Sequence, residues 1–187
     1  MPVTYALPDA STAIPFGGNN SSSVIVAEGY TPAPGESVIS PNRIAVSAGY
    51  FEAMGIALVR GRLFTDADGH DAPGVIIVDE RLARRCWPNA DPIGRRMLQP
   101  QKPEDLFNPK PDAAWLRVVG VVRTVKLQGL AGGEAERLGA YYLAYEQQPS
   151  RGIGFAVRTA GDPVATIAAV RHVVAGLDSG LSFYDVR

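Results

Sequence analysis

Fifteen prolines and 20 glycines are distributed through 187 residues, and this punctuation limits the chain more than any other feature. Proline ends helices and cannot donate to a strand ladder, and glycine weakens both kinds of element. The chain is therefore expected to fold as many short strands with few helices, an α+β arrangement. Hydrophobic residues make up 46%, enough to bury a core in one domain or in one domain with an inserted lobe. The 18 basic and 19 acidic residues leave a net charge of -1, so no nucleic-acid partner is expected.

Ala10 to Ala27 is the longest charge-free run, but Phe16-Gly17-Gly18-Asn19-Asn20-Ser21-Ser22-Ser23 lies in its middle and is too polar to cross a bilayer. Met1-Pro2-Val3-Thr4-Tyr5 has neither a basic nor an apolar leader region, so the expectation is a cytoplasmic protein or an excised piece of a larger one. Cys86, the single cysteine, permits no intramolecular disulfide.

Alternating Val3, Tyr5 and Leu7 predict a first strand, and Ser23 to Tyr30 a second. Arg43 to Val46 is extended, and Ser47 is placed to cap a short helix through Met54 that Gly55 ends in a left-handed conformation. The apolar run Gly74 to Val78 predicts a buried strand. Asp79 follows as the cap of a helix with Leu82, Ala83, Cys86 and Trp87 on one face and the pair Glu80 and Arg84 on the other. Further strands are expected over Arg95 to Leu98, Trp115 to Val122 and Gly139 to Tyr145, with a long proline-rich loop from Gln99 to Asp112 and a glycine-rich link around Gly129, Gly132 and Gly133. The end reads as strand Ile153 to Arg158, helix Pro163 to Leu177 and strand Leu181 to Val186, with Ile167, Val170, Val174 and Leu177 as the buried stripe. The strand at Val3 to Leu7 is the expected sheet partner of this unit.

The sequence offers little catalytic chemistry. Val118-Val119-Gly120-Val121-Val122 resembles the first strand of a dinucleotide fold, but Arg123-Thr124-Val125 follows where the glycines belong. Asp66-Ala67-Asp68-Gly69-His70-Asp71 gathers three carboxylates and an imidazole, yet glycine stands fourth instead of sixth and Ile77 replaces the bidentate glutamate of a calcium loop. A solvated turn is expected there, with no metal site. Cys86 on an apolar helix face reads as a buried, inert thiol. His172 lies off its helix's apolar stripe and reads as a surface residue. Asp79 and Glu80 read as cap and ion-pair residues, and Tyr141, Tyr142 and Tyr145 as the faces of a strand. Catalytic, cofactor-binding and metal-binding residues are thus all assigned as none.

Several segments occur together in a familiar order. Arg43-Ile44-Ala45-Val46-Ser47-Ala48-Gly49-Tyr50-Phe51-Glu52-Ala53-Met54-Gly55-Ile56 precedes Arg60-Gly61-Arg62-Leu63-Phe64 and Asp66. Val75-Ile76-Ile77-Val78-Asp79-Glu80, Trp87-Pro88 and Asp91-Pro92-Ile93-Gly94-Arg95-Arg96 come next, then Val118 to Val122, Tyr142-Leu143, Val157-Arg158-Thr159 and Gly161-Asp162-Pro163. This series resembles the MacB-like periplasmic core domain of ABC transporter permeases, over roughly residues 23 to 187.

The resemblance implies a non-catalytic domain on the extracytoplasmic, periplasmic face of the cytoplasmic membrane. It would transmit conformational change and contact the transmembrane and ATPase parts of the same transporter, and an adaptor protein as a further partner. It also implies a porter-like split βαβ lobe, partly truncated, from residues 1–42 and 150–187, and an inserted mixed α/β lobe of short strands from 43–148. Against the family pattern, the chain is expected to lack the preceding transmembrane helix and the first strand and helix of the porter-like lobe, and the expected consequence is either self-association through its C-terminal strands or a rearranged pairing that closes the gap. The Gln99 to Asp112 loop looks like an elaboration, either a partner contact or a tolerated insertion. The alternative reading is a soluble hydrolase or ligand-binding protein using Asp66 to Asp71.

Overall fold

The apolar runs between the prolines and glycines become strands. The structure, a computed structural model, describes residues 9–12, 21–32, 35, 38–127, 137–149, 154–156 and 163–177. The strands are β1 (Asp9–Ser11), β2 (Ser21–Ser22), β3 (Val26–Ala27), β4 (Asn42–Val46), β5 (Leu58–Gly61), β6 (Val75–Asp79), β7 (Arg96–Leu98), β8 (Leu116–Val122), β9 (Ala140–Ala144) and β10 (Gly154–Ala156). The helices are α1 (Tyr50–Ala53), α2 (Glu80–Cys86) and α3 (Pro163–Leu177), with a 3-10 turn over Pro103–Leu106. Two compact units divide after Ala156. The first carries the sheet.

That sheet runs β10-β1-β4-β9-β6-β8-β7-β3, with β2 also on β4 and β5 also on β8. Its centre is two parallel pairs, β4 with β9 and β6 with β8, joined by the antiparallel pairing of β6 and β9. Parallel strands are stable when both faces are covered, and every residue of β6 and β9 is buried. On one face Ala45, Ile76, Val78, Tyr141 and Leu143 meet Leu82, Cys86 and Trp87 of α2 and its C-terminus. On the other, Ile44, Val46, Ile77 and Tyr142 meet α1 and Phe64.

The valine doublets of β8 follow from a bulge. Ile76 pairs with Val118 but Ile77 pairs with Gly120, so Val119 is the extra residue. The extra residue shifts the alternation, and Val118 and Val121 face the α2 side while Val119 and Val122 face the α1 side. Gly120 sits where β5 crosses. A Cβ on Gly120 would strike the Arg62 carbonyl, and one on its partner Gly61, whose φ is +77°, would strike the Val119 carbonyl.

Local signals account for the helix ends. After α1, Gly55 takes φ +65°, its N–H donates to the Glu52 carbonyl and that of Ile56 to the Phe51 carbonyl at 2.8 Å. This is a Schellman ending, closed by Ile56 and Phe51 in one apolar cluster. Asp79 caps α2 by accepting from Leu82 N–H at 2.8 Å, as the sequence predicts. The start of α1 differs from expectation. Gly49, not Ser47, is its N-cap, with no side-chain cap bond; the Ser47 carbonyl accepts from Tyr50 N–H at 3.3 Å in a preceding turn. Of the strand expected over Ser23 to Tyr30 only Val26–Ala27, β3, forms; β2 lies ahead of it, and between the two the Ser23 and Ile25 N–H groups donate to the Pro41 and Ile39 carbonyls of the chain leading into β4.

The expected strands at Val3 to Leu7 and Leu181 to Val186 and the link at Gly129 to Gly133 lie outside the described residues. The described partner of β10 is β1, paired from Asp9 with Ala156 to Ser11 with Gly154. In the second unit, α3 spans the expected residues. Ile167, Val170 and Val174 are its half-buried positions, whereas Arg171, His172 and Val173 are exposed.

Gly61 and Gly94, both at positive φ, separate backbone strain from steric closure. Gly94, φ +82°, has open space around its would-be Cβ, so Gly94→Ala is expected to cost about 1 kcal/mol. Gly61→Ala adds a backbone collision and is expected to cost about 3 kcal/mol or more. Urea midpoints of the two variants, measured side by side, check the difference, and equal losses would contradict the close crossing of β5 over β8.

Candidate functional site

The Asp66 to Asp71 segment gathers three carboxylates and an imidazole, and the structure separates them. Asp68 is buried and accepts from both Arg62 guanidinium nitrogens, at 2.7 and 2.8 Å, and from Thr65 N–H at 2.9 Å. The Arg62 hydrogen bonds hold the Asp68 carboxyl below its usual range, against the cost of burial. Asp66, His70 and Asp71 are exposed. The loop is a turn built on one ion pair whose carboxylate is buried and whose guanidinium is half-exposed, and the Arg60-Gly61-Arg62 motif supplies that pair's cation. Its other arginine, Arg60, meets Asp91 at 3.4 Å on the surface.

Gln147 fixes the far side of the loop. Its Oε1 accepts from Val75 N–H at 3.1 Å, and its Nε2 donates to the Gly69 and Pro73 carbonyls at 3.3 and 3.1 Å. One side chain thus ties the loop to the start of β6. Sequence reasoning passes over Gln147 because no local pattern marks a partner more than 70 residues away.

The remaining candidates are part of the core. Tyr141 and Tyr142 are fully buried on opposite faces of β9, and Tyr145 is half-buried beyond its end. Phe51 stacks edge-on against Tyr142 at 5.0 Å and against Tyr50 at 5.5 Å, which is core packing. Burial pushes the Tyr50 phenol up to about 12, against a smaller pull from Ser11. Burial also pushes the Cys86 thiol up to about 12, against the pull of Arg85. Glu80 and Arg84 meet at 3.8 Å.

Asp79 is the buried carboxylate with the most shared work. It caps α2, and Ala140 N–H and the Thr124 hydroxyl also donate to it. Desolvation outweighs these donors and raises its pKa to about 6. Thr124 in turn accepts from Arg81 N–H at 3.3 Å, and Gly139 packs so closely on the carboxylate that a Cβ there would strike it. The end of β6, the start of α2, the segment after β8 and the start of β9 therefore meet at one side chain.

The Gln99 to Asp112 excursion is a built turn. Asp105 accepts from Gln101 and Lys102 N–H at 3.0 and 3.1 Å ahead of the 3-10 turn, and the Trp115 indole donates to the Lys110 carbonyl at 3.1 Å. Arg96, bound to Glu28 at 2.6 Å, lies over the Trp115 ring at 5.0 Å. Between this turn and β7 and β8 lies a cleft of about 560 Å³, walled by Gln99, Gln101, Lys110, Leu116 and Gln148 among others. Phe107 on the turn is 84% exposed. Its prolines mark the excursion in the sequence, but no local pattern singles out Phe107. Among the described residues, no three His, Cys, Asp or Glu side chains come together as a metal site, and no helix is long and apolar enough to cross a membrane.

Comparison with known proteins places this geometry. The sequence profile of the MacB-like periplasmic core domain matches residues 3–174. The macrolide export ATP-binding/permease protein MacB of Aggregatibacter actinomycetemcomitans is 29% identical over 123 residues, 66% of this chain but 16% of that relative's length. Among solved structures, the periplasmic region of MacB from Actinobacillus actinomycetemcomitans is similar with a TM-score of 0.60 at 19% identity, covering 94% of this chain and 69% of that one. The extracellular domain of the noncanonic ABC-type transporter YknZ from Gram-positive bacteria is similar at 0.53 and 15% identity, covering 91% and 79%. At these identities the structural likeness concerns the fold.

Two outcomes test the buried groups. Between pH 3.8 and about 6 the native state keeps a proton on Asp79 that the unfolded chain has released. Its contribution to stability is complete below the unfolded value and is lost as pH rises through about 6, a loss of at most about 3 kcal/mol for a shift of this size. Subtracting the denaturation midpoints of Asp79→Asn from those of the parent across pH 4 to 7 is expected to show that decline; a flat difference would contradict it. Cys86 is expected to react with a thiol reagent slowly in the native protein and quickly in denaturant, and rapid native labelling would refute its burial.

Proposed function

The chain belongs to the family of MacB-like periplasmic core domains, and on that premise we propose that it works without catalysis, as a stiff body passing conformational change between the transmembrane and ATPase parts of an ABC-type permease and what they meet outside the membrane. The observation that carries this reading is the double-faced core. The central strands are covered by apolar layers on both sides, and the bulge, the Gly61 and Gly120 crossing and the Asp79 junction lock neighbouring elements together. Interiors packed in this way are poorly compressible and transmit displacement instead of absorbing it.

The polar groups favour the same reading. Asp68, Asp79 and Gln147 are spent on holding the fold, and the hydrolase or ligand-binding alternative built on Asp66 to Asp71 loses Asp68 to Arg62. The proposal keeps the two-lobe division, with a porter-like lobe from 1–42 and 150–187 and an inserted lobe from 43–148. The β1 and β10 pairing supports it by joining the two separated stretches of the first lobe. Contact with an adaptor, and self-association through the C-terminal strands, belong to the same proposal.

Cys86 is buried, so within this chain an introduced surface cysteine is the residue that takes a label. In the complete permease, spin labels on the exposed positions Asp71→Cys and Glu104→Cys are expected to keep their mutual distance when ATP is added. The distance from position 71 to a label on a membrane helix is expected to change. A constant second distance would overturn transmission, and a changing first distance would overturn stiffness.

A further inference from the structure

Among the described residues Phe107 is the large apolar side chain that gives most to water, 84% exposed against 62% for Val173 and 45% for Val59. It is held there by construction. Pro100, Pro103, Pro109 and Pro111 fix φ on both arms of the excursion. Asp105 bonds the two N–H groups before the 3-10 turn, and both Phe107 and Asn108 N–H return to the Glu104 carbonyl, at 3.3 and 3.0 Å. The Trp115 indole ties down the returning arm through the Lys110 carbonyl. An aromatic ring on a turn already ordered in this way loses little freedom when it is buried by something else, which is the condition for a strong anchor.

We propose that Phe107 is the anchor through which a different protein docks on this face, a partner that offers an apolar pocket for the ring and a polar, charge-balanced rim around it. The adjoining cleft fits the rim. Its wall mixes the amides of Gln99, Gln101 and Gln148 with Lys110, Leu116 and Asp112, suited to the backbone and mixed charges of a protein segment. A lipid surface fits less well, because Glu104, Asp105 and Asp112 outnumber Lys102 and Lys110 around the ring and anionic headgroups attract basic segments. A second copy fits less well too. A contact of this face with its own copy would set the acidic excess of Glu104, Asp105 and Asp112 against itself. The inference rests on the permease reading only for where the partner is met.

The test places a photoreactive benzoylphenylalanine at position 107 of the complete permease in its own membrane. Irradiation is expected to give an adduct with one discrete protein of another sequence. That protein, identified by mass spectrometry and purified, is expected to bind the parent permease at least tenfold more tightly than Phe107→Ala, while the variant melts at the parent's temperature because the ring is outside the core. Adducts with lipid alone, with a second copy alone or with nothing would overturn the proposal. So would equal binding of the identified partner to Phe107→Ala. Membrane fractionation before irradiation reads the permease assignment separately, so a protein that fails to reach the membrane is distinguished from one that arrives but does not dock.

Discussion

The pairing of β6 with β9 is the constraint on which the rest of the sheet depends. It is the antiparallel seam between two parallel pairs, and it sets Ile76 opposite Leu143, Ile77 opposite Tyr142 and Val78 opposite Tyr141. Both strands are buried along their whole length, so a slip of one residue would send each side chain into the wrong core. Ile76 would leave the layer that contains Trp87, and Tyr142 would leave the aromatic group of Tyr50, Phe51 and Phe64. The two layers differ in shape. One is capped by α2, the other by α1 and the chain around Phe64. That asymmetry fixes the register, and the outer strands are positioned from it.

How much of this was legible in the sequence depended on the range of the interaction. The Val75 to Asp79 strand, the Asp79 cap, the buried face of α2, the left-handed Gly55 and the whole of α3 follow from signals within a few residues of one another, and the residues themselves announced them. The resemblance of the ordered motifs to the permease family was also readable, and the match over residues 3–174 bears it out. The bulge at Val119 was not readable, because a run of valines is equally compatible with a regular strand; only the pairing of Gly120 with Ile77 reveals the extra residue. Ser47 looked like a cap because its chemistry suits one, but the preceding turn delays α1 to Tyr50. The acidic loop was legible as a turn, whereas its organising pair, Arg62 with Asp68, depended on β5 leaving the sheet at Gly61.

The assignment of residues shows a division of labour between interior and periphery. Asp68, Asp79 and Gln147 act as joints of the framework: Asp68 closes its own loop on Arg62 and Thr65, whereas Asp79 and Gln147 take up groups from segments distant in sequence. The periphery carries instead the most exposed large apolar side chain among the described residues, Phe107. Sequence identity to solved relatives is only 19% and 15% while the fold is shared. The physical requirement in common is a pattern of buried apolar faces with tight glycine crossings, which many side-chain sets can meet.

The topology also imposes an order of events. Asn42 to Val46 in β4 find their parallel neighbour only in Ala140 to Ala144 of β9, and β6 must wait for the same strand to complete its antiparallel side. A chain that emerges across a membrane with its N-terminus leading would expose β4 and β6 before β9 is available, and loop closure over that distance makes their pairing slow. The central sheet therefore closes late in delivery. When β9 arrives, Tyr141, Tyr142 and Leu143 supply side chains to both apolar layers in a single step.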